Sequence, residues 1–123
     1  MYNFGNYENI LAAIGITYYM GVPVEKIRDA VMKFTAVEHR IEYVDTVDGV
    51  DYYNDSKGTN PDAAIKGISA MTKPTILLGG GYDKKSTYDE WIDAFHGKVR
   101  YLIVMGATAQ AIADTAKKHG FHN

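Results

Sequence analysis

The chain has 123 residues, 46% of them hydrophobic, which is enough for one domain with a core of its own and argues against disorder. A formal net charge of -2 and a pI near 6.0 leave no broad basic field, which speaks against nucleic acid or an anionic membrane as the main partner. The absence of cysteine excludes disulfides and thiolate metal sites, and no apolar run approaches the roughly 18 residues that would span a membrane, so a soluble cytoplasmic protein is the expectation.

Up to about Phe34 the pattern is helical. Ile10, Leu11, Ile14 and Tyr18 recur at helical spacing behind a capping Asn6, and Gly21 followed by Pro23 stops the run. A second helix is expected from Pro23, with Val24, Ile27, Val31 and Phe34 on one face and the charged residues Glu25, Lys26, Arg28, Asp29 and Lys33 elsewhere. Two helices of this size cannot bury their apolar faces against each other alone. They should either pad the following domain or be the tail of another one, and their exposed faces make self-association through residues 1–34 an expectation.

From Arg40 the period changes to two, and Asp48-Gly49 between alternating runs is a strong hairpin signal. The second strand, ending in Tyr52-Tyr53, leads through the polar stretch Asn54–Asp62 into a helix capped by Asn60, with Pro61 at its first position. Pro74–Leu78 is an apolar run of the kind a strand covered on both faces would have. It ends in Gly79-Gly80-Gly81, and Ser86-Thr87-Tyr88-Asp89 fits a capping box ahead of a helix carrying Trp91, Ile92 and Phe95. A third strand, Val99–Met105, precedes a helix from about Thr108 to His119. Alternating strands and helices of this kind predict a parallel α/β sheet.

In such sheets ligands bind beyond the carboxyl ends of the strands, and the Asn54–Pro61 and Gly79–Ser86 loops both leave strands there. Each carries a lysine, Lys57 and Lys84, that would suit an anionic ligand with two carboxylates or a carboxylate and a phosphate. The bland readings stay open beside this one: two solvated lysines, Asp55 hydrogen-bonding its own turn, and Arg40 in a rim salt bridge with Glu38 or Glu42. Neither a G-x-G-x-x-G nor a P-loop motif occurs, and the four histidines show no metal-ligand spacing.

Phe34, His39-Arg40-Ile41-Glu42, Asn54-Asp55-Ser56-Lys57-Gly58-Thr59-Asn60-Pro61-Asp62-Ala63 and Gly79-Gly80-Gly81-Tyr82-Asp83-Lys84 together resemble the C-terminal domain of the Mur ligases. The N-D-S-K-x-T-N form of the central loop is similar to that of the D-glutamate-adding branch. Upstream, Asn6–Ala13 is similar to the H-N-x-x-N-x-x-A-A helix that closes the family's central ATPase domain, with Gly5 where histidine is usual.

The resemblance implies a Rossmann-like, mostly parallel α/β sheet with an antiparallel β-hairpin at its start. Two helices from the neighbouring ATPase domain (1–37) would precede a C-terminal ligase domain (38–123). It implies ATP-dependent, magnesium-assisted addition of D-glutamate to UDP-N-acetylmuramoyl-L-alanine through an acyl phosphate, in peptidoglycan precursor synthesis. Carried over by position, Asn6 and Asn9 would meet adenine, Arg40 the ATP phosphates or ribose, and Asp55 the ribose hydroxyls, while Lys57, Thr59 and Lys84 would hold the D-glutamate carboxylates. The family's P-loop and metal ligands have no counterpart in the sequence, so the expectation is a folded but catalytically inactive piece of the ligase. The alternative is a non-catalytic α/β module that binds an anion or nucleotide with the same loops.

Overall fold

Helical spacing at the start of the chain produces two helices, α1 Tyr7–Tyr19 and α2 Val24–Lys33. The computed structural model describes residues 7–34 and 37–123, and the chain divides into two units, Met1–Asp55 and Ser56–Asn123. The expected cap Asn6 lies outside the described residues. Pro23 is extended (ψ 136°) and its carbonyl accepts from Lys26 and Ile27, so it precedes the second helix instead of opening it. The sides turned inward are Ile10, Ile14 and Thr17 on α1 and Ile27 and Val31 on α2, each only half-buried. Leu11, Tyr18, Val24 and Phe34, expected on the apolar faces, are exposed.

The same unit contains an antiparallel hairpin, β1 Glu42–Val47 and β2 Val50–Asn54. Asp48 and Gly49 both take positive φ, 51° and 80°, the conformation that matches a two-residue turn to the twist of the strands it joins. A register shift at Tyr43/Asp45 marks a bulge, and Tyr43 packs edge-on against its cross-strand partner Tyr53 at 5.8 Å between ring centroids.

The second unit is built as α3 Pro61–Ala70, β3 Thr75–Gly81, α4 Asp89–Asp93, β4 Val99–Gly106 and α5 Ala109–Lys118. Strands β3 and β4 pair in parallel, with α4 in the crossover between them. Ile68, Trp91, Ile92, Phe95, Val99, Ile112 and Ala116 form the buried core, with Leu77, Leu102 and Val104 packed against it from the sheet. Trp91, Phe95 and Phe121 stack edge-to-face through this core, with centroids 5.7 and 5.2 Å apart.

Mixed α/β architecture with a hairpin and a parallel sheet is thus present, with three local differences from expectation. First, the sheets among the described residues have two strands each, β1 with β2 in the first unit and β3 with β4 in the second. Second, only one face of β3 is covered. Leu77 points to the core, while Ile76 and Leu78 are 58% and 61% exposed, as are alternate residues of β4. Third, the capping box at Ser86 does not form: α4 begins at Asp89, and Tyr88 at its N-cap makes no side-chain bond. Packing of Trp91, Ile92 and Phe95 holds this short helix in place of a cap.

The glycine run is explained by close approach. A Cβ on Gly79 would lie 2.7 Å from Trp91 Cη2, and one on Gly80 would collide with the Met105 carbonyl oxygen. Gly80 also stands at φ 122°, a region open to glycine and to little else. Across the ladder, Gly106 faces Gly81 with no room for a side chain on it.

Candidate functional site

The loop after β2 is ordered by short-range bonds. Asn60 Oδ1 accepts from the Ala63 N–H at 2.8 Å, and Pro61 occupies the first helical position, so α3 starts where the sequence indicates. The Thr59 N–H donates to the Lys57 carbonyl at 2.9 Å, which folds the Lys57–Thr59 segment tightly on itself. Lys84, from the loop after β3, donates through Nζ to the Thr59 carbonyl oxygen at 3.3 Å. Lys57, Thr59 and Lys84 are all exposed. The two loops of the second unit therefore meet, presenting two ammonium groups and a hydroxyl to solvent beside the start of a helix, where the dipole also favours an anion.

The glycine-rich end of β3 contributes less than its composition suggests. The Gly81 N–H donates to Thr108 Oγ1 at 3.0 Å and the Gly81 carbonyl accepts from the Thr108 N–H at 3.2 Å. Thr108 is buried, and it pins the end of β3 to the start of α5. Gly81 backbone groups are thus committed to the fold. A threonine just ahead of a helix was the only sequence signal for this contact.

In the first unit the candidate residues Arg40 and Asp55 come together. Asp55, half-buried at the end of β2, accepts from the Ile41 N–H through Oδ1 at 3.0 Å. Burial pushes its carboxyl above the usual aspartate range, while the Ile41 bond and the neighbouring Arg40 charge pull the other way. Arg40 is exposed, so its guanidinium is available to a phosphate. Glu42, one of the two salt-bridge partners considered for Arg40, instead accepts from the His39 N–H at 2.8 Å. Of the two asparagines, Asn9 is exposed on α1 and Asn6 lies outside the described residues.

Among the described residues no three or more histidine, cysteine, aspartate or glutamate side chains gather in a way that could hold a metal ion. Among the described residues no helix is long and apolar enough to cross a membrane.

Residues 39–123 match the family model described as the Mur ligase, glutamate ligase domain. Over 118 residues the chain is 61% identical to the UDP-N-acetylmuramoylalanine–D-glutamate ligase of Lachnospira eligens and 59% identical to that of Lachnoclostridium phytofermentans, in each case over 96% of this chain and 26% of the relative. It is 46% identical to the ligase of the same name from Clostridioides difficile over the same shares. The chain thus spans about a quarter of the length of the curated relatives it matches. A family model that matches residues 39–123, most of the sequence, shows that the chain belongs to the Mur ligase family, with those residues matching its glutamate ligase domain.

Proposed function

We propose that this chain supplies the amino-acid-binding part, and some of the nucleotide-binding part, of an ATP-dependent ligase that joins D-glutamate to UDP-N-acetylmuramoyl-L-alanine. Residues 1–37 then belong to the end of a central ATPase domain and residues 38–123 to the ligase domain. The relatives' shared name supports the reaction. The observation that carries the assignment of residues is the Lys84–Thr59 bond, which brings the two loops together as one cationic surface.

In the reaction the terminal phosphoryl group of ATP passes to the alanyl carboxylate, giving an acyl phosphate and ADP. The D-glutamate amine attacks the acyl carbon, phosphate leaves with the bonding electrons, and the amine loses a proton as the amide forms. On this reading Lys57, Thr59 and Lys84 receive the D-glutamate carboxylates, fixing the amine for attack. Arg40 meets phosphate or ribose oxygens, Asp55 accepts from ribose hydroxyls, and Asn6 and Asn9 face adenine. Any magnesium that the reaction uses would neutralise phosphate charge and would be held by residues outside this chain. The chain alone is inactive, and the working enzyme is cytoplasmic.

Titration of the 123-residue chain with D-glutamate, followed by NMR, tests the loop assignment. Lys57, Thr59 and Lys84 resonances should shift, and Lys84→Ala should weaken binding by about tenfold or more, the range for a hydrogen bond to a charged group. Equal response to L-glutamate, or shifts elsewhere only, would favour a general anion-binding module. A turnover assay with the UDP-precursor, D-glutamate, ATP and magnesium should give no rate above background, and any rate would overturn the claim of inactivity.

A further inference from the structure

The turn that carries Arg40 is built against the conformational preferences of its residues. His39 stands at φ 64° and Ile41 at φ 46°, both in the left-handed region. That region is unusual for histidine and a true outlier for a β-branched residue, whose Cβ crowds the following carbonyl. Such backbone persists only where the surroundings over-determine it.

Three side chains do so here. Glu42 Oε2 accepts from the His39 N–H at 2.8 Å, Asn54 Nδ2 meets His39 Nδ1 at 2.8 Å, and Asp55 Oδ1 accepts from the Ile41 N–H at 3.0 Å. Asn54 and Asp55 come from the end of β2, so the far end of the hairpin grips the residues on either side of Arg40. The Arg40 N–H itself donates to the Val37 carbonyl at 3.3 Å, and its side chain is left exposed.

We infer that Asp55 is a positioning residue: its carboxylate latches the Ile41 amide and so holds the strained turn that presents the Arg40 guanidinium. This role adds to a contact with sugar hydroxyls, because a carboxylate has two oxygens and only Oδ1 is committed to Ile41. The functional meaning of the latch rests on the nucleotide-facing reading of Arg40, whereas the latch itself does not. The charged and titratable groups around it are Arg40, His39 and Glu42 from the turn and the start of β1.

The test uses the ligand-free chain, labelled with nitrogen-15. The Ile41 amide shift should titrate with an inflection above the ordinary aspartate range, and this inflection should vanish in Asp55→Asn. Hydrogen exchange at Ile41 should accelerate about tenfold in Asp55→Ala, the effect of losing one such bond, and stay within about twofold of the parent in Asp55→Asn, whose carbonyl oxygen still accepts. A flat Ile41 titration overturns the inference. So does unchanged exchange in Asp55→Ala, or exchange in Asp55→Asn as fast as in Asp55→Ala. Titration with ADP read at Arg40 Nε then separates the two claims. An intact latch with no ADP response sinks the nucleotide reading alone, and a missing latch sinks this inference whatever ADP does.

Discussion

The two units of the chain obtain their order in different ways. Ser56–Asn123 has a closed core of seven buried apolar residues, centred on Ile112 at 2% exposure. In the unit that ends at Asp55, no described residue is fully buried, and its candidate residues are held by polar contacts to backbone amides and by a tight turn. Apolar burial is cooperative and non-directional, so it places strands and helices; hydrogen bonds to individual amides are directional and place single side chains. The lysine loops are accordingly anchored to a packed βαβ layer, and the arginine turn to a network of side chains.

The sharpest way to break this contrast is Gly80→Ala. A side chain at φ 122° that also meets the Met105 carbonyl should cost roughly 3 kcal/mol or more, combining backbone strain with overpacking. Chemical denaturation followed by Trp91 fluorescence should show it as a lower midpoint. Ile112→Ala should cost about 2–5 kcal/mol by the same measurement, as for other buried isoleucines. Ile14→Ala in α1, where the side chain is only half-buried, should cost well under half of that, and an equal cost would erase the distinction between the units.

A smaller effect is expected from Asn60→Ala, which removes the bond to the Ala63 amide and should lower stability by about 1 kcal/mol. If the D-glutamate response weakens as well, the cap serves the loop as much as the helix.

The smallest effect is pH dependence at the surface of the second unit. His119, at the end of α5, lies between two carboxylates, with Nδ1 2.7 Å from Asp93 and Nε2 2.8 Å from Asp89. Carboxylates only accept, so the two contacts favour the ring with a proton on each nitrogen and raise the histidine above its ordinary value. Bonds from His119 and Lys118 hold Asp89 below the usual carboxylate range. The raised histidine contributes fully below its unfolded value and loses that contribution as pH rises through the folded one. The lowered aspartate contributes above its unfolded value and loses it as pH falls through the folded one. The cluster therefore supports the fold in the mildly acidic range between them. His119→Gln should flatten the stability profile there, and an unchanged profile would remove the cluster from the account.

Much of the candidate site was legible in the sequence because its signals are local. Asn60-Pro61 announces a helix start, Asp48-Gly49 a turn, and lysines in two post-strand loops a place for anions. The cause of the glycine run is not legible in the sequence, because it lies in Trp91 and Met105, residues distant in sequence that reach it through the fold. The strain at Ile41 was illegible for a related reason: nothing in isoleucine's chemistry suggests a left-handed conformation, and the carboxylate that stabilises it lies fourteen residues away.

Residue pattern by itself determined the kinds of elements, the positions of the turns and the family, since these depend on periodicity, capping and short motifs. Tertiary structure decided strand partners and which face of β3 is covered. It also decided that Lys84 meets Thr59 and that Asp55 meets Ile41. Those choices depend on which surfaces and polar groups find each other once the chain closes, and no local propensity encodes them.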